Sequence, residues 1–390
     1  MKVLVLGGCG IQGKSAVLDL AGDGDVERVI CADANMDGLQ SVSPFIDMSK
    51  VRAESVDAGD ADSLDRLFRQ ADVAIDLLPR QFLETVCRAA IRTGVGVVNT
   101  NYATPIAHLD ETARSAGVTI MPECGLDPGI DLVLYGEARR RFDTLNLINS
   151  YCGGFPEQTA CDNPLKYKVS WVFEGVLSAT KRDSRIIREG RVIDIPGARQ
   201  HDEAYVHEVA FPGLGTLEAI PNGNAVMFTD ALGVTGTIRE TGRYSLRWPG
   251  WSAFWRPLKQ LGFLSEEPVS GLAGPVSPYQ MMDKLVGPQI QYRRNEKDLV
   301  AMINIFEGLK DGRQVRMISR LLIERDLETG LMAMARGVGY PASIAARMIA
   351  RGEIAEKGVL SPMTHIPYAA FIDALGSRGI VVEEEEIPLA

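Results

Sequence analysis

The sequence predicts an α/β protein whose amino-terminal part is a parallel sheet with helices on both faces and whose middle is a second, sheet-rich domain. Three observations predict it. Short apolar runs alternate with helical patterns from Lys2 to Asn99, the rhythm of a doubly wound sheet. From Leu145 to about Tyr244 the pattern shifts to strand-like runs separated by Gly, Pro and Asn turns. A chain of 390 residues is also long enough, at roughly 150 residues per domain, for two or three domains.

Lys2–Leu6 is the first strand, followed at once by Gly7-Gly8-Cys9-Gly10-Ile11-Gln12-Gly13 and a helical run from Lys14 to Leu20. Strand, G-x-G-x-x-G and helix in that order form the dinucleotide-binding (Rossmann) fingerprint. Gly8 is expected to make the tight turn, Gly10 to admit a pyrophosphate because no Cβ stands in the way, and Gly13 to let helix and strand pack closely. Ile11 opens the helix, whose free N–H groups and positive dipole end suit phosphate oxygens. Val29–Ala32 is the second strand and ends at Asp33, placed to accept hydrogen bonds from ribose hydroxyls and to repel a 2′-phosphate. That favours NAD over NADP, unless Lys14, Asn35 or another neighbour offsets Asp33.

Val51–Val56, Val73–Leu78 and Gly96–Asn99 continue as strands, with helices over Ala61–Gln70 and Phe82–Thr93. Ligands of such sheets bind beyond the carboxyl ends of the strands, which carry Asp33, Asp57, Leu78-Pro79 and Asn99 to Tyr102. Asp57 is either an adenine contact or a helix-capping carboxylate. A helix over Ile106–Ala116 and a strand over Val118–Pro122 lead into Glu123–Asp131, where a helix opens near Pro128 with Asp127 as its cap. The domain boundary is placed at 124/125.

The middle reads as strands over Leu145–Cys152, Tyr167–Val172, Arg191–Ile195, Glu203–Phe211, Thr216–Ile220 and Val234–Leu246. Trp248, Trp251 and Trp255 precede an amphipathic helix and read as core or interface aromatics. Ser265–Pro278 is a loop, and Leu299–Leu309 and Arg313–Asp326 are strands joined at Asp311-Gly312. Helical segments follow at Met332–Ala335, Pro341–Arg351 and Pro367–Arg378, and Glu383–Glu386 is a solvated strand end or frayed tail.

Composition excludes several function classes. Lys and Arg total 41 against 51 Asp and Glu, a net charge of −10, so the field of the molecule repels nucleic acid and anionic lipid. No apolar run reaches the ~20 residues of a membrane span, and the opening MKVLVLGG does not read as a signal peptide. A cytoplasmic protein is expected. The six cysteines form no CxxC pair, and His201 and His207 are read as surface residues without a metal-ligand spacing. No metal is expected.

Longer segments carry a more particular signal: Glu123–Asp131 (ECGLDPGID), Tyr151–Gly154 (YCGG), Asp162–Trp171 (DNPLKYKVSW), Arg239–Tyr244 (RETGRY), and MARGVGYPASIAA within Thr329–Ala346. Together they resemble the saccharopine dehydrogenase family over nearly the whole chain, with glutamate-forming saccharopine reductases and lysine 6-dehydrogenases as the nearest branches. The resemblance implies a Rossmann domain (1–124), a second α/β domain with a mixed sheet that holds substrate and much of a homodimer interface (125–330), and carboxy-terminal helices returning to the first domain (331–390). It also implies hydride transfer between a nicotinamide cofactor and a nitrogen-bearing carbon of an amino acid. By the same resemblance Arg239 binds a substrate carboxylate, and Tyr102, Asp127, Cys152 and Trp171 line the cleft. Glu240 and Gly242 replace the usual glycine and leucine of that arginine segment. A compact second domain lacking the fungal insertion points to a smaller substrate, nearer the lysine 6-dehydrogenase branch.

Such chemistry must anchor a carboxylate, hold the reacting carbon and move protons. Arg239, helped by Arg243, suits the first task through its planar fork, although a strand arginine also serves as an exposed ion-pair partner. Asp127, Lys168 and Tyr102 are the candidates for proton transfer, against which Lys168 reads as a surface lysine alternating with apolar neighbours in a strand. The leading expectation is an NAD(P)-dependent amino-acid oxidoreductase; the alternatives are a non-catalytic NAD(P)-binding regulatory or redox-sensing protein and a scaffold.

Overall fold

A computed structural model describes residues 1–272 and 274–389; Ala273, within the expected loop, and Ala390, at the end of the expected tail, lie outside the described residues. The chain divides into two compact units, 1–137 with 328–381, and 138–327 with 382–390. The division into these units falls at 137/138, and the last residues join the second unit.

In the first unit the strands are β1 (Lys2–Leu6), β2 (Arg28–Asp33), β3 (Val51–Ser55), β4 (Val73–Asp76), β5 (Gly96–Asn99) and β6 (Thr119–Met121), linked by α1 (Ile11–Gly22), α2 (Ala61–Phe68), α3 (Leu83–Thr93) and α4 (Asp110–Ser115), with α5 (Ile130–Arg141) running across the division. The sheet is parallel, in the order β3-β2-β1-β4-β5-β6, which is the dinucleotide-binding order with its switch point between β1 and β4. β1, β4, β5 and β6 read as largely apolar runs because both faces are covered, whereas the outer strand β3 carries Arg52 and Glu54 and buries no residue. Leu4, Leu6, Ala74 and Val97 are buried in one cluster with Leu64 and Leu67 of α2 and Val86 and Cys87 of α3.

The second unit opens with β7 (Thr144–Pro156), α6 (Phe173–Ala179), β8 (Ser184–Arg188), β9 (Arg191–Ile195), β10 (His207–Phe211), β11 (Gly215–Pro221), α7 (Val226–Ala231) and β12 (Glu240–Arg247). It continues through α8 (Trp251–Gln260), α9 (Pro278–Val286), β13 (Asp298–Lys310) and β14 (Arg313–Glu324). The path of the mixed sheet is β10-β11-β12-β7-β13-β14 and then the terminal strand, with β8 and β9 attached at β12. β7 and β12 are parallel, and β13 is antiparallel to β7. Trp248, Trp251 and Trp255 are buried in an aromatic core with Tyr151, Phe155, Tyr167 and Tyr244, and the last two tryptophans lie within α8 instead of before it.

The chain returns to the first unit through α10 (Ala333–Ala350), β15 (Gly358–Val359), α11 (Pro362–His365) and α12 (Tyr368–Gly376). β15 adds to the sheet beside β6. Pro341 was expected to separate two short helices, but α10 runs through it as one helix. Almost every residue from Ala333 to Met348 is buried, so packing outweighs the hydrogen bond that proline removes. A Cβ on Gly339 would stand 2.1 Å from Ser15 Oγ of α1, which is how closely the two helices meet.

Two local expectations change, and a third is decided in favour of the solvated strand end. Tyr167–Val172 is not a strand but an irregular segment, held where Asn163 Nδ2 donates to the Tyr167 carbonyl at 2.8 Å. The strand expected from Val234 begins only at Glu240, because Val234–Arg239 is taken up by turns. Finally, the acidic tail forms β16 (Glu383–Pro388), antiparallel to β14, with Glu384, Glu385 and Glu386 paired to Arg141, Arg320 and Lys310.

Candidate functional site

The glycine loop follows β1 directly. Gly7, not Gly8, makes the sharp turn: its φ is 74°, and its N–H donates to the Ala32 carbonyl at 2.8 Å. Gly8 is required for another reason, since a Cβ there would stand 2.6 Å from Cys31 Sγ. Gly13 keeps its expected role, as a Cβ would lie 2.0 Å from the Gly7 carbonyl oxygen. At Gly10 a Cβ would meet only that same oxygen, at 3.2 Å, and Gly10 and Ile11 are exposed. The protein's own packing therefore demands little at Gly10, which fits a glycine kept bare for a phosphate. α1 has no side-chain cap and no acidic residue in its first turn, so its leading N–H groups and dipole are left for an anion.

The neighbouring strand ends complete this edge. Asp33 Oδ2 accepts the Cys9 N–H at 3.1 Å and Oδ1 the Asn35 N–H at 3.3 Å. Leu77 and Leu78 lie against Gly7, and Leu78 N–H donates to Asp76 Oδ1 at 3.0 Å, with Pro79 exposed beyond. Asp57 accepts the Gly59 N–H at 2.8 Å just before Asp60, the cap of α2, which is the capping-loop geometry. Asp76 went unnoticed in the sequence. It is 1% exposed, burial raises it to about 7, and among the described residues its Oδ2 has no hydrogen-bond partner.

Tyr102 follows β5 in a half-buried loop. Glu123, buried and at φ 58°, braces that loop by accepting the Ala103 N–H at 3.1 Å. Asp127 is not the cap of α5, because the helix starts at Ile130; it is Asp131 that accepts the Gly129 N–H, at 2.8 Å. Burial raises Asp131 to about 7.

In the second unit, strand register sorts the substrate candidates. Arg243 of β12 stands beside Ser150 of β7, which stands beside Asn304 of β13, so all three point to one face of the sheet. They are 2%, 1% and 0% exposed. Among the described residues neither the Ser150 hydroxyl nor either amide atom of Asn304 has a hydrogen-bond partner, an arrangement that calls for a polar ligand or water. The Arg243 guanidinium also lies over the Phe228 ring, 4.4 Å from its centroid. Cys152 and Ser245 form the adjacent pair on the same face. Ser150 and Asn304 were missed; their signal was a polar residue inside an otherwise apolar strand.

Arg239 does not join this row. It precedes β12, is exposed, and its N–H donates to the Asn146 carbonyl at 2.7 Å. Four residues at about 3.3 Å each put it roughly 13 Å along the strand from Arg243. Trp171 is half-buried against the aromatic core, where its ring fills the space a Gly175 Cβ would take.

Lys168 is neither a surface lysine nor a base with a lowered pKa. Its Nζ donates to both oxygens of Glu296 at 2.8 Å and lies 3.0 Å from Asp162 Oδ1. Burial would lower the ammonium pKa, but the bonds to Glu296 and Asp162 outweigh it and hold the pKa above the ordinary lysine value. His201 and His207 are not exposed surface residues either. His201 is buried, with burial lowering it to about 3, and His207 packs edge-on against Tyr151 and Tyr244.

Two family models cover the chain: "Saccharopine dehydrogenase NADP binding domain" matches residues 3–121 and "Saccharopine dehydrogenase C-terminal domain" matches residues 125–380. The chain belongs to the saccharopine dehydrogenase family. Among its relatives, the saccharopine dehydrogenase [NADP(+), L-glutamate-forming] of Pyricularia oryzae is 29% identical over 375 residues, covering 79% of this chain and 83% of that one. The mitochondrial alpha-aminoadipic semialdehyde synthase of Mus musculus is 28% identical over 446 residues, covering 97% of this chain and 47% of its own. This family member thus spans about half the length of the first curated relatives it matches. In fold it is similar to apo saccharopine dehydrogenase (L-Glu forming) from Saccharomyces cerevisiae, with a TM-score of 0.85, 24% identity and 99% of both chains covered.

Saccharopine dehydrogenases are oxidoreductases, and the glycine loop of this member fits the nicotinamide nucleotide that the family uses. Between NAD and NADP the balance moves to NADP, the nucleotide named for the matched domain. The carboxylate of Asp33, on which the NAD preference stood, is engaged by two backbone N–H groups. Among the described residues no three His, Cys, Asp or Glu side chains are grouped to hold a metal, and no helix is long and apolar enough to cross a membrane.

Proposed function

We propose that the chain is an NADP-dependent oxidoreductase of the CH–N bond of an amino acid, of the saccharopine or opine-reductase or lysine 6-dehydrogenase type. The observation that carries this reading is the row Arg243–Ser150–Asn304, three polar side chains buried side by side on one face of the sheet. The planar fork of Arg243 takes the substrate carboxylate in two parallel hydrogen bonds, and its charge is worth more for being desolvated. Asn304 and Ser150 supply a donor and acceptors for the remaining polar atoms of the substrate head.

When bound, the nucleotide supplies the hydride acceptor or donor for the nitrogen-bearing carbon. Gly8, Gly10, Ile11 and Gly13 would hold its pyrophosphate, with Asp33, Leu78 and Pro79 at its flanks. Tyr102 would move a proton at its hydroxyl, and Asp127 would orient a substrate ammonium. A cytoplasmic homodimer belongs to the same reading. The apolar side chains of Leu261, Leu272 and Leu285, each more than half exposed, support association with a second copy, which sedimentation equilibrium measures.

The test is turnover. Purified protein with NADP or NAD and a panel of L-lysine, saccharopine and simple opines is expected to change the absorbance of the reduced nicotinamide with at least one member. Tight nucleotide binding without turnover of any amine or opine would return the chain to the regulatory alternative.

A further inference from the structure

Two thiols lie beneath the nucleotide loop. Cys9 stands inside the glycine turn and Cys31 on β2, with their sulfurs 3.7 Å apart; Cys31 is fully buried and Cys9 is 8% exposed. The surroundings tie this pair to the loop on three sides. Gly8 packs on the Cys31 sulfur, the Cys9 N–H is held by Asp33, and a Cβ on Gly38 would lie 2.0 Å from the Cys9 carbonyl oxygen. The position of Cys9 therefore sets both the glycine turn and the segment after β2.

We propose that Cys9 and Cys31 are an oxidisable pair whose intramolecular disulfide distorts the glycine loop and expels the nicotinamide nucleotide. A disulfide needs its sulfurs at about 2.05 Å, so they must close by roughly 1.6 Å. Cys31 is fixed in the ladder between β1 and β3, which leaves Cys9, and with it the loop, to move. The oxidant is a small organic disulfide. The Cys9 thiol gives up its proton and attacks one oxidant sulfur, breaking that S–S bond and releasing one thiol. The Cys31 thiol then loses its proton, attacks Cys9 Sγ and releases the second thiol. Two protein thiols are oxidised by two electrons, and the small disulfide is reduced to two thiols.

Burial holds both thiols above the ordinary cysteine pKa; at Cys9 the charge of Asp33 adds to the effect and Lys14 opposes it. The pair thus reacts slowly at neutral pH and faster as the pH rises. A nucleotide held at Gly10 would shield it.

The proposal rests on nucleotide binding at the loop and not on the identity of the substrate. Its test treats the full chain with 2-hydroxyethyl disulfide at mildly alkaline pH, with and without excess NADP, followed by peptide mass mapping and calorimetric titration with NADP. The expected result is a Cys9–Cys31 disulfide that forms more slowly with NADP present. Nucleotide affinity falls by about tenfold or more, the equivalent of about 1.4 kcal/mol, and dithiothreitol restores it. Cys9→Ser and Cys9→Ala, which can form neither the disulfide nor the mixed disulfide that precedes it, are expected to bind NADP with an affinity that the oxidant does not change. Two thiols that stay unlinked after prolonged exposure, or a disulfide that leaves the affinity unaltered, would overturn the proposal. Untreated protein that takes up no nucleotide would instead sink the nucleotide reading, while the mass map still reports on the pairing.

Discussion

Replacing Lys168 by Met separates a structural from a catalytic lysine. In the folded protein the ammonium is 2% exposed and bridges Glu296, also buried, and Asp162. Met fills the volume but leaves the Glu296 carboxylate as a buried charge supported, among the described residues, by the Arg293 N–H at 2.7 Å and by exposed Arg293 at 3.5 Å. Breaking a buried pair from one side costs about 3–5 kcal/mol, which for a domain of this size lowers the melting temperature by on the order of ten degrees. The sign of the pH effect follows from Glu296. Burial would raise its pKa, but Lys168 and the Arg293 N–H hold it below the ordinary value. Its stabilisation is thus present above the unfolded carboxylate pKa and is lost as the pH falls through the lower folded value. Denaturant and thermal unfolding of wild type and Lys168→Met should differ most near neutrality and converge in acid, and Lys168→Met/Glu296→Leu should recover most of the loss. If Lys168→Met melts like wild type and abolishes turnover together with one limb of the pH–rate profile, Lys168 is the base and this reasoning is wrong.

Other outcomes follow from the same geometry. Gly13→Ala must displace the Gly7 carbonyl, 2.0 Å from the new methyl, and is expected to destabilise the first unit by about 2 kcal/mol or more; Gly10→Ala is expected to melt as wild type yet lose NADP affinity at least about tenfold, both read by melting and calorimetry. Arg243→Ala should cost about 3–5 kcal/mol in kcat/KM as a lost buried charge partner, and Arg239→Ala no more than about 0.5 kcal/mol as a surface change, with circular dichroism confirming that both fold. Asp76, held at about 7 by burial, keeps its proton when folded but not when unfolded, so stability should fall as the pH rises from about 4 to about 7. Asp76→Asn should flatten that slope by a few kcal/mol in urea titrations across the same range.

The first unit was legible because its information is local. An apolar run, a glycine turn and a helix start lie within the first two dozen residues, and a strand covered on both faces announces itself by composition alone. What escaped was decided by contacts remote in sequence. Gly7 rather than Gly8 turns the loop because Gly8 must make room for the sulfur of Cys31. Tyr167–Val172 alternates like a strand since Tyr167, Val169 and Trp171 pack on the aromatic core while Lys168 reaches Glu296. The hairpin of β8 and β9 was half missed, as Ser184–Arg188 carries two arginines and only Glu189-Gly190 marks its turn.

The candidate site shows the same limit more sharply. Arg239 and Arg243 stand in one short segment, and only the parallel register of β12 on β7 reveals that one is exposed while the other faces Ser150 and Asn304. The resemblance that selected Arg239 carried no information on that register. Lys168 illustrates the reverse case, in which Glu296, distant in sequence, turns a candidate base into a locked ion pair.

The most direct measurement is a crystal structure of the chain with NADP and a non-reacting amino-acid analogue. The account predicts the analogue's carboxylate within about 3 Å of the Arg243 guanidinium, with Asn304 and Ser150 bonded to its head group. An analogue seated at Arg239, or a polar row closed by the protein's own side chains with the analogue elsewhere, would contradict it.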